Sequence, residues 1–293
     1  MKPAPFEYFA PTTVDETLVR LGEYGYEAKV LAGGQSLIPM MNFRLAQPSV
    51  IIDINKVNEL FYIHPGEDGG LRIGAMTRHN QVEHHPLIAD HAPLIYETMP
   101  HIATVQVRSR GTFGGSIAHA DPSAELAAVS VALEGSYLLR NLQGERWVPA
   151  EEFFVGLFTS VLEPDELLIE AKFPPLPDRT ECALVELSRR PHDFALVGVA
   201  VVVTLDKDDR CQRARMVFFS VGDGPVIAHQ AGEMLKNQAM TRESMHAAAE
   251  AAAGLDIDPG GDIHASAKYR RHLAGILAFR ALEKVYDRAR GKG

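Results

Sequence analysis

The sequence is poor in cysteine, in positive charge and in long apolar runs, and each shortage narrows what the chain can be. Only Cys182 and Cys211 occur among 293 residues, too few for a disulfide framework and short of the four thiolates that an iron–sulfur cluster or structural zinc ordinarily takes. Any iron–sulfur chemistry connected with this protein is expected on another chain. The 29 Lys and Arg residues are outnumbered by 38 Asp and Glu, for a formal charge of −9, and such a surface offers phosphate backbones no broad positive face. This excludes nucleic acid as a partner. No segment approaches the roughly 20 consecutive apolar residues that cross a bilayer, and the opening MKPAPFEYFAPTT has no apolar core of a secretion signal. The expectation is a cytoplasmic protein without a membrane span.

What is present is ordinary for a folded protein: 46% hydrophobic and 23% charged residues, over a length that suits two compact domains or one large one. The spacing predicts a helix over 13–24, with Thr13 and Glu16 as a capping-box pair, Val14, Leu18 and Leu21 on one face, and Gly25 as the stop. AKVLAGGQSL then gives a short apolar run ending in paired glycines, and SVIIDIN is β-branched enough for a second buried strand. LRIGAMTRHNQVEHHPLI reads as a strand leading into a helix, and VRSRGTFGGSIAHADPSAEL carries a glycine-bearing loop into another apolar segment. Prolines in PPLPDRTE mark a boundary near Pro177. Beyond it, LVGVAVVVTLDKDDR and CQRARMVFFSVGDGP are expected to pair antiparallel across DKDD, and alanine-rich helical stretches close the chain. The plan is α+β.

Two loops stand out, Ala32-Gly33-Gly34-Gln35-Ser36 and Gly111-Thr112-Phe113-Gly114-Gly115-Ser116, because each sets paired glycines beside hydroxyl or amide residues. Glycine permits positive φ and removes the Cβ, so backbone N–H groups can converge on phosphate oxygens, with Ser36, Thr112 and Ser116 adding hydroxyls. Neither loop fits G-x-G-x-x-G or G-x-x-x-x-G-K-[ST]. After Ser36 the chain runs into LIPMMNFRLAQP, which is closed by proline and is not the long helix of a Rossmann unit. A nucleotide bound here is held in another fold. One Gly-Gly pair alone is a tight turn; two such loops favour a ligand.

AGGQSLIPMMNFRLAQPSVIIDIN, VRSRGTFGGSIAHADPSAEL, LSRRPHDFALVGVAV and SAKYRRHLAGILAFRAL, in this order, closely resemble the carbon monoxide dehydrogenase medium-subunit family. That family belongs to the molybdenum hydroxylases and is similar to the flavin portion of xanthine dehydrogenase. The resemblance covers almost the whole chain. It implies a two-lobed FAD-binding domain of the vanillyl-alcohol-oxidase type over residues 1–176, with lobes of about 1–55 and 56–176. A C-terminal domain of antiparallel sheet plus helices follows over 177–293.

The resemblance places the FAD pyrophosphate between the two loops, on Ala32, Gly33, Gly34, Gln35 and Ser36 and on Thr112, Gly114, Gly115 and Ser116, with Leu31 and Leu37 flanking the first. It makes Glu125 a hydrogen-bond acceptor toward the flavin chain, brings Leu168 of DELLIE to the flavin, and sets Phe194 of RRPHDFA near the isoalloxazine ring, where it could stack. Ser116 stands where asparagine is common, and Phe194 replaces a tyrosine and its hydroxyl. The cysteine-bearing insertion of 4-hydroxybenzoyl-CoA reductase flavoproteins is missing. The implied partners are a large molybdopterin-binding subunit and a small subunit with two 2Fe–2S clusters, as a dimer of heterotrimers. In such an assembly this chain transfers electrons to an external acceptor, and no catalytic residue is assigned to it.

Other features take plainer readings. His79, His84 and His85 read as a solvated helix face, because no carboxylate or cysteine completes a metal set. His119 and Asp121 read as local hydrogen-bonders that shape a turn. Arg108 and Arg110 either pair with phosphate or bond carbonyls and carboxylates around the loop. RRHLAGILAFRALEKVYDRAR is basic but interrupted by Glu283 and Asp287, which suggests a solvated amphipathic helix. Two other functions compete. A stand-alone FAD-dependent reductase of the same fold needs its own proton-donating residues, and no such set is found. A scaffold that serves only assembly has no use for intact glycine loops.

Overall fold

The computed structural model describes residues 2–291. Its first sheet is small and parallel. The chain runs β1 (Glu7–Phe9), α1 (Val14–Tyr24), β2 (Ala28–Leu31), α2 (Leu37–Asn42) and β3 (Val50–Asp53), and the strands lie in the order β1-β3-β2. Helix α1 starts where Thr13 Oγ1 accepts from the Glu16 N–H at 3.1 Å. The return half of the box is displaced by one residue, since the Glu16 carboxylate accepts from the Thr12 N–H at 2.8 Å. Gly25, at φ +48°, ends the helix. Val14, Leu18 and Leu21 are buried with Val50 and Ile52 of β3; each such side chain contributes about 1.5–3 kcal/mol on leaving water. The crossover α2 has only 6 residues, so β2 and β3 finish side by side, Leu31 opposite Asp53. The C-terminal edge of a parallel sheet is where ligands are commonly held.

The second sheet is antiparallel. Strands β4 (Ile63–Pro65) and β5 (Leu71–Gly74) are followed by six short helices: α3 (His79–His84), α4 (Pro86–His91), α5 (Pro93–Thr98), α6 (Val105–Arg108), α7 (Phe113–His119) and α8 (Glu125–Ala132). Pro86 and Pro93 each open a helix at its first position, where the missing N–H costs nothing, and they cut what would be one long helix into pieces. Then come β6 (Ser136–Asn141), β7 (Gly144–Pro149), α9 (Ala150–Phe153), a β8 (Phe154–Gly156) and β9 (Thr159–Ser160) hairpin, and β10 (Leu167–Phe173), giving the order β4-β5-β10-β6-β7. Every residue of α8 is buried, Glu125 included.

The third sheet holds β11 (Thr180–Ser188), β12 (Ala195–Leu205), β13 (Cys211–Phe219) and β14 (Val226–Ile227), followed by α10 (His229–Leu235), α11 (Arg242–Ala251) and α12 (Ala267–Gly291). Its strands pair antiparallel in chain order. The β12–β13 turn is held by Asp206, whose Oδ1 accepts from the N–H groups of Asp208 and Arg210. One face packs on α12, with Leu273, Leu277 and Leu282 among its buried residues. The other face sends Leu184, Ala200 and Phe219 into the core that contains α8.

The basic C-terminal helix is not simply solvated. Arg270 is buried and donates to the carbonyls of Leu196 and Ser220, while Lys284 and Arg288 both reach the Glu97 carboxylate in α5. These cations fasten α12 to the rest of the chain, a use that helical periodicity does not reveal. Among the described residues no helix is long and apolar enough to cross a membrane.

Candidate functional site

The two glycine loops meet. A Cβ added to Gly33 would lie 2.4 Å from the Arg110 carbonyl oxygen and 2.8 Å from Gly111 Cα, and one on Gly115 would lie 3.6 Å from Ala32 Cβ. Gly114 faces the other way, where a Cβ would stand 2.5 Å from that of Ala75. Glycine at 33 and 114 is thus required by protein packed against it. Gly34 adopts φ +72°, the left-handed region that glycine enters without cost.

Hydrogen-bond accounting divides the labour between the loops. At the start of α7 the N–H of Phe113 donates to Thr77 O, that of Gly114 to Ala75 O, and those of Gly115 and Ser116 to Thr112 Oγ1 and O. The backbone donors of Gly111 and of Phe113, Gly114, Gly115 and Ser116 are therefore engaged within the protein, so what these residues and Thr112 leave for an anion is chiefly the hydroxyls of Thr112 and Ser116. On the first loop, the N–H groups of Gly33, Gly34, Gln35 and Ser36 meet no protein acceptor among the described residues. Unpaired N–H groups on a half-buried turn are suited to anionic oxygen.

These groups border a cleft of about 410 Å³ lined by Leu31, Ala32, Gly33, Gly34 and Gln35, by Ile38 and Pro39 of α2, by Asp53 at the end of β3 and Asn55 just beyond it, and by Arg110. Ser36 and Leu37 follow directly on the chain, and Gly115 brings the second loop against Ala32. Burial works against the charge of Asp53, but hydrogen bonds from Tyr8 and Asn55 outweigh it, and its carboxyl lies below the usual range. Of the two arginines, the structure takes Arg108 away from the cleft and leaves Arg110 beside it. Arg108 is buried, bonded twice to Glu83 and to the carbonyls of Ile102 and Ala103, whereas Arg110 is exposed at the cleft.

A second cleft, of about 460 Å³, is lined by Pro100, His101 and residues 186–192. Phe194 lies two residues beyond, with 69% of its surface exposed. Beside this cleft His101 Nδ1 meets Glu186 Oε1 at 3.1 Å, and Glu186 Oε2 is buried without a partner. The hydrogen bond to Glu186 raises the His101 pKa against the opposing effect of burial. Glu125 is buried, and that burial, reinforced by the Glu186 charge, pushes its carboxyl up to about 7. Leu168 is 4% exposed, opposite Leu139 in the sheet, and lines neither cleft.

Of the histidines, His84 is exposed, but His79 is buried behind the second loop and is not part of a solvated face. A Cβ on Gly111 would come within 2.9 Å of its Nδ1, and burial lowers its pKa to about 4, so the ring is neutral. His119 packs on the Phe158 ring at 5.2 Å, and Asp121 accepts from the Ser123 N–H at 2.8 Å, a local turn bond. Sequence reasoning passed over Asp53, Asn55 and Arg78. The available signal was Asp-Ile-Asn at the end of a strand read as buried.

A cleft made from glycine loops at the ends of parallel strands, with free N–H groups and no Rossmann helix, defines a nucleotide-cofactor protein of non-Rossmann type. Residues 4–176 match the family model described as FAD binding domain in molybdopterin dehydrogenase, and residues 183–285 match the CO dehydrogenase flavoprotein C-terminal domain. The chain is 39% identical to the 6-hydroxypseudooxynicotine dehydrogenase complex subunit alpha of Paenarthrobacter nicotinovorans, over 99% of this chain and 97% of that one. It is 38% identical to the carbon monoxide dehydrogenase medium chain of Hydrogenophaga pseudoflava, over 98% and 99%. A solved structure of carbon monoxide dehydrogenase from that organism superposes with a TM-score of 0.94, covering 98% of this chain and 99% of the other. The chain belongs to the family of FAD-binding medium subunits of the carbon monoxide and xanthine dehydrogenases, and is an oxidoreductase subunit whose cofactor is FAD.

Proposed function

We propose that this chain is the FAD-binding electron-transfer subunit of a molybdenum hydroxylase, set between the 2Fe–2S clusters of a small subunit and an external acceptor. Substrate is then oxidised at the molybdopterin of a large subunit. The observation that carries this is the set of four free N–H groups on the first glycine loop, with the second loop packed directly against Gly33. A pyrophosphate needs donors from more than one side, and the abutting loops supply them. Bound FAD contributes the redox chemistry, accepting and releasing electrons singly or in pairs. The protein's own residues bind and orient it. Gly33, Gly34, Gln35 and Ser36 donate to phosphate oxygens, Thr112 and Ser116 add hydroxyl donors, and Leu31, Ala32 and Leu37 shape the wall.

Gly114 and Gly115 act in this reading by letting the second loop lie close, Gly114 on Ala75 and Gly115 on Ala32. Phe194, whose ring is largely exposed, covers the isoalloxazine. Glu125 acts from beneath the second cleft as a carboxyl near its titration point at neutral pH, and the buried Leu168 contributes through the backbone of β10. The molybdopterin dehydrogenase family and a relative named as one subunit of a dehydrogenase complex support the partner subunits. A dimer of heterotrimers is the expected arrangement, in the cytoplasm. Co-purification tests this: tagged chain should bring down a molybdopterin protein and an iron–sulfur protein, with dithionite-reducible flavin. Isolation as a free flavoprotein that turns over its own substrate would replace the proposal with the stand-alone reductase.

A further inference from the structure

Asn55 and Arg78 form a strut between the two glycine loops. Asn55 Nδ2 donates to the Ala32 carbonyl at 2.8 Å and to Asp53 Oδ1 at 2.6 Å, while its Oδ1 accepts from Arg78 Nη2 at 2.5 Å. The other terminal nitrogen of Arg78, Nη1, donates to the carbonyl of Arg110, which leads into the second loop. Each end of the strut is itself anchored. Tyr8 donates to Asp53 Oδ2 at 2.6 Å, Arg78 lies 5.5 Å over the Phe61 ring, and the backbone of Arg78 bridges to that of Thr112. One carbonyl of each loop is therefore held by one donor of the same two-residue unit.

Peptide geometry turns this contact into aim. In a trans peptide the carbonyl and the next N–H point in opposite directions. Fixing the Ala32 carbonyl on Asn55 therefore points the Gly33 N–H away from Asn55, and that N–H is one of the four without a protein acceptor. We propose that Asn55 and Arg78 are positioning residues for FAD: the strut sets the spacing of the two loops and the direction of the Gly33 N–H, and so the fit of the pyrophosphate. The inference rests on the assignment of the glycine loops to the cofactor.

The test strips FAD from the full chain in its native assembly and titrates it back, for Asn55→Leu, Arg78→Lys and Gly33→Val. Melting of the apoprotein and the ³¹P resonances of bound FAD are followed in parallel. Asn55→Leu is expected to weaken FAD about tenfold or more, Arg78→Lys less, and both to shift the ³¹P resonances, with apoprotein melting little changed. Gly33→Val, whose side chain must displace the second loop, should abolish binding. Wild-type affinity in both strut variants, or weaker binding with unmoved ³¹P resonances, overturns the strut while loss in Gly33→Val leaves the loop assignment standing. Wild-type binding by Gly33→Val removes the loop assignment and the strut with it. Should Asn55→Leu fail to fold, Arg78→Lys decides alone, since it keeps a cation over Phe61.

Discussion

A carboxyl buried at the end of a helix reports its surroundings through pH. Glu125 has its folded pKa raised from 4.5 to about 7 by burial, with the neighbouring Glu186 charge adding to it. The folded state therefore holds the Glu125 proton more tightly than the unfolded chain does. The stability this contributes is full below about 4.5 and is lost as pH rises through about 7. Glu125→Gln removes the dependence, so its melting temperature should gain on the wild type between pH 5 and pH 8. The expected gain is a few degrees, given about 2–4 °C per kcal/mol for a domain of this size. A constant difference across that range rejects the assignment. Phe194 makes a separate prediction. If its exposed ring covers the flavin, Phe194→Ala should weaken FAD by roughly twofold to just over tenfold, the value of about 0.5–1.5 kcal/mol for an aromatic stack. An unchanged Kd and unchanged flavin fluorescence place the ring elsewhere.

Elements differ in how openly the sequence declares them. Helix α1 and the β12–β13 hairpin were legible because their signals are local: a cap, an apolar face and a glycine stop in one, two β-branched runs about a charged turn in the other. The helices α3 to α6 were not resolved, since prolines break them into pieces of 4 to 6 residues too short to show a period. Periodicity gave α12 as an amphipathic helix but not the fastening of its cations, with Arg270 buried among carbonyls and Lys284 and Arg288 clasping Glu97. Within the third sheet, Gly198 stands under the Phe219 ring of the paired strand, where a Cβ would lie 2.0 Å from the ring. Gly198→Val should therefore destabilise the chain by about 1–3 kcal/mol or more through overpacking, read as a lower melting temperature. The double variant Gly198→Val, Phe219→Ala should recover part of the loss. No loss in the single variant means that the ring repacks freely.

At the scale of the whole molecule, the site is assembled from segments far apart in the chain. The 31–36 loop, the 53–55 strand end, Arg78 and the 110–116 loop converge only after the first two sheets have packed together. Sequence reading found both loops, because paired glycines with hydroxyl neighbours are a local signal. It passed over Asn55 and Arg78, which look like any strand-end amide and helix-start cation until the fold brings them to the carbonyls they hold. It also assigned backbone donors to both loops, and only the first keeps a run of four of them free, while those of residues 113–116 in the second are engaged within the protein. The most direct measurement is the visible spectrum of the purified chain, with its partner subunits present, before and after FAD is added and with FMN as control. Flavin bands that appear with FAD and not with FMN are the predicted result, since the cleft is read as gripping a pyrophosphate. FMN binding as well as FAD, or no flavin band in the assembled complex, would contradict it.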